Sequence, residues 1–375
     1  MGADRSSDRR QDGISPLQER SERAHARSHG DQMAAMNFPT RVTELLGIRY
    51  PLLQAGMSWA SSNADLALAV SQAGALGVIA AGPMSPDALR AAIRAVKEGT
   101  DRPFAVNVPL YNPRAAAFLD VVHDENVPVI IASQGGPKQH IARCKERGAT
   151  WLHVTASPEH AVKAEAAGVD AVIAVGAEAG GHPPPDEVGT LVVVRAVVKA
   201  VSIPVIGGGG IADGAGIAAM FCLGADGVQL GTRFLMTPES GLHHAYKERA
   251  LAAGIADTTL IGRGKLPIRV LKNAFTREFE AAERDGMSAE ALARLGASRT
   301  LKMAAFDGDT DQGKVELGQS VGLIDELVPA SELVERLMAE FERALERLAR
   351  LRATASATAQ NDPGVKPEHA REVRR

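Results

Sequence analysis

Between Tyr50 and Gly231 the chain alternates between two patterns. Short runs are apolar nearly throughout: "YPLLQAG" (50–56), "LGVIAA" (76–81), "PFAVNVPL" (103–110), "PVIIAS" (128–133), "TWLHVTA" (150–156), "AVIAVG" (171–176), "PVIGGG" (204–209) and "GVQLG" (227–231). Unbroken apolarity, rather than strict alternation, marks parallel strands covered on both faces. The longer stretches between them are amphipathic and alanine-rich. "SPDALRAAIRAVKEG" (85–99) has Ser85 as a cap, Pro86 at the first helical position and Gly99 as a stop. "SPEHAVKAEAAG" (157–168) repeats that design. Eight strand–helix units predict an α/β protein of the (β/α)8 TIM-barrel class. A doubly wound sheet shares the alternation and is the alternative.

Composition narrows the setting. The chain has 375 residues, 45% of them apolar, and a formal net charge of −3, which suggests no nucleic-acid partner. Cys144 and Cys222 are the only cysteines. They exclude a disulfide scaffold or a cysteine-rich metal site, and no metal is expected. No apolar run reaches the roughly 18 residues of a membrane span. A cytoplasmic location is therefore expected, with no membrane partner. The alanine-rich outer helices permit a homodimer. The expected division is a disordered extension over 1–37, the barrel over 38–239 and a helical insertion forming a substrate-side lid over 240–330. A closing helix over 331–351 and a disordered tail over 352–375 complete it.

In a barrel, function gathers at the C-terminal ends of the strands. The unusual residues sit there. Gln54, Ala55, Gly56 and Met57 close the first run, and Asn107 is a polar residue near the end of the third. After the seventh run comes "GGGG" (207–210), and after the eighth Gly231 and Thr232. Glycines at two adjacent strand ends let backbone N–H groups approach an anion, helped by the start of the following helix, so a phosphate site is expected there. Taken singly, such glycines would mark only tight turns. No Walker or Rossmann glycine motif occurs. After the sixth run, "GAEAGGHPPPDEVGT" (176–190) holds His182 behind Gly180 and Gly181 and ahead of Pro183, Pro184 and Pro185. The glycines free the backbone to aim the ring, and the prolines stiffen the exit. A solvent-exposed loop histidine is the bland alternative. His153 reads as facing the barrel interior, and His243 and His244 as candidates for the substrate entrance.

The motifs "YPLLQAGM", "RPFAVNV", "AEAGGH", "IPVIGGGGIADG" and "GADGVQLGTRF" resemble the FMN-dependent nitronate monooxygenases, once called 2-nitropropane dioxygenases. The FMN-dependent enoyl-acyl-carrier-protein reductases and NADH:quinone reductases are similar. The resemblance covers about residues 38–350. It implies FMN, with its phosphate at Gly209, Gly210, Gly231 and Thr232. It places the ring against the backbone of Gln54–Met57, the Asn107 side chain and the loop at Gly180 and Gly181. Gln229 is a candidate ring or ribityl contact, or equally a polar group of the barrel interior. His182 matches the histidine that nitronate monooxygenases use as a catalytic base. Many relatives have a glycine soon after it, where this chain continues "PPPDEVGT", which leaves the shape of the substrate pocket open. "KNAFTREFE" (272–280) resembles the enoyl reductases, and "DGDTDQG" (307–313) with "GQSVGLI" (318–324) the nitronate enzymes. Lys272 and Arg277 read as a solvated face before an anion site. "DGDTDQG" reads as a turn, since a calcium loop's terminal glutamate is missing. The implied reaction is oxidation of a small-molecule nitronate by O2 to a carbonyl compound and nitrite. The alternative is reduction of an enoyl thioester or quinone at the expense of NAD(P)H, and a flavin-binding scaffold without activity is the third.

Overall fold

In the computed structural model, residues 38–263 and 267–360 are described. The proposed extension over 1–37 and the end of the proposed tail, 361–375, lie outside them. Eight strands run in parallel: β1 (Leu52–Gln54), β2 (Gly77–Ala80), β3 (Phe104–Pro109), β4 (Val129–Ser133), β5 (Thr150–Thr155), β6 (Ala171–Val175), β7 (Val205–Gly208) and β8 (Gly227–Leu230). Each falls within one of the eight apolar runs. Their order, β1-β8-β7-β6-β5-β4-β3-β2, has no reversal. β1 and β2 close the ring: Gln54 N–H donates to the Leu76 carbonyl at 3.0 Å and Leu76 N–H to the Leu52 carbonyl at 2.9 Å. The fold is the (β/α)8 barrel, and the doubly wound alternative is excluded.

Side chains such as Leu53, Ala105, Leu152, Ile173 and Ile206 form one buried cluster with Val42 and Leu46 of the helix Arg41–Leu46. The capping expectations hold. Ser85 accepts from Ala88 N–H at the head of Pro86–Gly99, and Ser157 from His160 N–H at the head of Pro158–Ala167.

His153 departs from expectation. Its neighbour Leu152 belongs to the buried cluster and Val154 lines the cavity described below. Successive strand residues point to opposite faces, so His153 lies on the outer, helix-covered face. It is buried, its Nδ1 has no partner, and burial lowers its pKa from 6.5 to about 4, partly offset by a hydrogen bond with Gly135. A group whose folded pKa is depressed contributes stability above its unfolded pKa and loses it on acidification. Stability should therefore fall by about 3 kcal/mol as pH drops from 6.5 to 4. Urea unfolding across that window should show a shallower fall in His153→Gln than in wild type.

Beyond β8 the chain is less helical than expected. The short strands β9 (Thr258–Ile261) and β10 (Ile268–Leu271) pair antiparallel. Four-residue strands flanked by helical composition carry too little pattern to be read from sequence. The last helix, Ala330–Gln360, runs past the expected end at Leu351, because no proline or glycine interrupts "RATASATAQ". Among the described residues no helix is long and apolar enough to cross a membrane.

Candidate active site

A cavity of about 530 Å³ opens at the C-terminal ends of the strands. Asn107 on β3, Ile131 on β4, Val154 on β5, Val175 on β6 and Gln229 on β8 line its barrel side. Ala55, Gly56, Met57, Gly180, Gly181, His182, Gly209, Gly210, Gly231 and Thr232 also line it. Twelve of the thirteen candidate residues thus meet at one cavity.

Gln54 is the exception. It is fully buried, and its Oε1 accepts from Val78 N–H at 2.8 Å. Its amide group also donates to the Ala55 carbonyl. The side chain therefore bonds across the β1–β2 closure instead of facing the cavity. Gly56 is required by a close approach: a Cβ there would lie 2.4 Å from Asn107 Cβ. Asn107 lines the cavity while its Nδ2 donates to the Ile131 carbonyl at 3.1 Å.

The histidine loop is pinned by the segment beyond the barrel. Gly181 has φ +72°, a left-handed conformation that favours glycine. Its N–H donates to the Arg269 carbonyl at 3.1 Å and its carbonyl accepts from Arg269 N–H at 2.6 Å. β10 thus fixes the backbone one residue before His182. Gly180 makes room for another crossing, since a Cβ there would lie 2.6 Å from Gly318 N. The crossing segment is tied down at Gly318 N–H, which donates to Thr232 Oγ1 at 2.9 Å, and at Gln319 N–H, which donates to the Glu178 carbonyl at 2.9 Å. The His182 ring makes no hydrogen bond among the described residues and faces the open cavity. The residue is exposed at the cavity mouth, yet the atoms packed around the ring disfavour its charged form, and with Lys314 nearby its pKa lies below the ordinary 6.5. The neutral form is therefore favoured at pH 7.

The two glycine loops end beside each other, because β7 and β8 pair. Gly209 and Gly210 have φ +97° and +71°. Among the described residues the N–H groups of Gly209, Gly210 and Gly231 reach no backbone carbonyl, so they are free to donate to a ligand. The following helix contributes less than expected. Asp213 caps Gly214–Cys222 by accepting from Gly216 N–H at 2.7 Å, and Glu340 accepts from Gly214 N–H at 3.0 Å. Its positive end is already occupied.

Several cavity residues were not singled out from the sequence: Tyr111, Glu178, Tyr246 and Glu316. Glu178 caps the helix Thr190–Ala200, accepting from Thr190 N–H and from its hydroxyl, each at 2.8 Å. Tyr246 donates from its hydroxyl to the Glu316 carbonyl at 2.8 Å. Burial pushes the Glu316 carboxyl from 4.5 up to about 7, with Lys314 pulling it back. An acid between Val315 and Leu317 was a readable signal of the same kind as Asn107 between Val106 and Val108. His243 and His244 do not line the cavity; their neighbours Leu242 and Tyr246 do. His243 instead caps its own helix through Nδ1. Lys272 ends next to β10 with its ammonium on the Ala256 carbonyl.

A barrel with a glycine cradle and an unpartnered histidine at one mouth has the parts of a ligand-binding site, and the family match identifies its class as the flavin-dependent TIM-barrel oxidoreductases. The chain belongs to the nitronate monooxygenase family: the model of that family matches residues 39–118 and 116–340. It is 34% identical over 354 residues to the nitronate monooxygenase of Pseudomonas aeruginosa, covering 80% of this chain and 99% of that one. It is 35% identical over 343 residues to a Mycobacterium tuberculosis enzyme named (3aS,4S,5R,7aS)-5-hydroxy-7a-methyl-1-oxo-octahydro-1H-indene-4-carboxyl-CoA dehydrogenase, covering 81% of this chain and 96% of that one. Among solved structures, FabK from Thermotoga maritima superimposes with a TM-score of 0.80 at 43% identity, covering 84% of this chain and all of the other.

Proposed function

We propose that the chain binds FMN and oxidises alkyl nitronates with O2 to carbonyl compounds and nitrite. The observation that carries this reading is one cavity holding both the glycine cradle of β7 and β8 and the free, neutral ring of His182. The residues fit the cofactor. The N–H groups of Gly209, Gly210 and Gly231 offer donors to a phosphate, and no side chain at those positions fills the space. A cavity of about 530 Å³ lies within the roughly 300–1,000 Å³ of ligand pockets. Ala55–Met57, Asn107, Gly180, Gly181 and Gln229 would surround the ring. Bound FMN would supply the two-electron redox chemistry that no side chain of this chain can.

The protein's own part is proton handling and positioning. Neutral His182 takes the proton from the carbon next to a nitro group, and as imidazolium it stabilises the resulting anion. Gly181, held by Arg269, fixes where the ring stands. The segment through Gly318 bonds to Thr232 and packs against Gly180.

The second reading is reduction of an enoyl thioester with NAD(P)H. It is favoured by the 43% identity to FabK and by the similarity to a carboxyl-CoA dehydrogenase. Anaerobic mixing separates them. Bleaching of the flavin by propyl-2-nitronate and not by NADH supports the nitronate reading; bleaching by NADH alone transfers the site to the reductase class.

A further inference from the structure

The segment over 314–318 crosses the cavity with strand-like alternation. Val315 and Leu317 are fully buried in the core beyond the barrel. Leu271 N–H donates to the Val315 carbonyl at 2.7 Å, and the Tyr246 hydroxyl to the Glu316 carbonyl at 2.8 Å. The Glu316 side chain is thereby turned to the opposite side, where it lines the cavity. Its Oε2 lies 3.2 Å from the point a Cβ on Gly181 would occupy, one residue before His182. The side chain is partly buried, and among the described residues its carboxyl makes no hydrogen bond or ion pair, so its oxygens are left open to the cavity. An unpartnered carboxyl beside the histidine loop, on a backbone fixed at both flanks, is built to meet a ligand.

We propose that Glu316, in its protonated form, donates a hydrogen bond to the oxygen on which the substrate develops negative charge, opposite the base His182. The inference rests on the proposed function in placing substrate beside His182. In a nitroalkane, a ring nitrogen of His182 takes the carbon-bound proton. The C–H electron pair becomes the C=N bond and the N=O π pair moves onto oxygen. The Glu316 O–H stabilises that oxygen without giving up its proton. The same donor would meet the enolate oxygen of a thioester, so the ligand class is a planar oxyanion conjugated with an acidic carbon.

The charged and titratable groups around the carboxyl agree with this form. Lys314 lies on the same segment and is itself partly desolvated, so it only partly offsets burial of the acid. Tyr246 from the helix His244–Leu251 and Tyr111 from the loop after β3 are neutral phenols, raised further by burial and by Glu316. His182 is neutral. With its pKa near 7, Glu316 is largely protonated in mildly acidic solution and ionises as pH rises.

The test is the pH profile of kcat/KM for propyl-2-nitronate, a preformed anion that needs no base. Wild type should lose activity as pH rises through about 7, because an ionised Glu316 repels the substrate. Glu316→Gln keeps a neutral donor and should abolish that fall. Glu316→Ala should lose roughly 100-fold on the acid side and show no fall of its own. FMN content and circular dichroism of each variant verify that the site is intact. A wild type flat across pH 7, or a Glu316→Gln variant that keeps the fall, overturns the assignment while leaving nitronate oxidation standing. A wild type that oxidises no nitronate sinks the proposed function instead. The same profile is then read on reduction of crotonyl-CoA by NADH, where the same two outcomes decide on Glu316.

Discussion

His182→Asn should lose about 100- to 10,000-fold in kcat/KM with neutral nitroalkanes, the usual worth of a positioned base. Asparagine keeps a polar side chain of similar reach. The Gly181–Arg269 bridge that positions the loop is made by backbone and is untouched by the change. The fold and FMN binding should therefore survive, as flavin absorbance would verify. The loss should be smaller with preformed nitronates, which arrive already ionised. The lowered pKa of His182 adds a second signature. Activity of wild type on neutral nitroalkanes should persist below pH 6.5 before the ring protonates. Equal losses on both substrate forms would make His182 a binding or orienting group. No loss on either would remove it from the active site.

Gly231→Val should weaken cofactor binding without unfolding the barrel. Gly231 has a negative φ of −101°, so a side chain there is not in the left-handed region, and a Cβ would meet Met57 Sδ at 3.7 Å and Ala55 Cβ at 3.8 Å, ordinary contact distances. The added methyl groups then crowd the space where a phosphate would meet backbone donors. Overpacking of about 1–3 kcal/mol corresponds to roughly 5- to 150-fold weaker FMN binding. Gly209 is a poorer probe. Its φ of +97° and a Cβ position 2.8 Å from Thr190 Oγ1 would strain the loop itself. Titration of the apoprotein with FMN measures the effect. Unchanged affinity in Gly231→Val would place the phosphate elsewhere.

The barrel was legible because burial on both faces leaves a simple trace: eight runs with hardly a polar residue, separated by well-capped helices. The glycine loops and His182 were legible because their chemistry is local in sequence. Asn107 stood out as a polar residue in an apolar run. What could not be read depends on contacts between distant segments. The Gln54 side chain bonds to Val78 because the ring closes there. Asp213 and Glu340 occupy the helix start that the glycine motif seemed to offer to an anion. Gly180 looked like clearance for a cofactor, yet the backbone of Leu317 and Gly318 presses on it. His153 obeys strand alternation, but which of two faces is the interior is settled only by its neighbours' packing. Glu316 reaches the cavity only because its segment folds back from beyond β10.

The most direct test of the account is an anaerobic titration of the purified flavoprotein with propyl-2-nitronate, followed by readmission of O2. The flavin absorbance should bleach with nitronate, stay unchanged with NADH, and return with O2 as nitrite and acetone appear. Bleaching by NADH with none by the nitronate would contradict the nitronate reading.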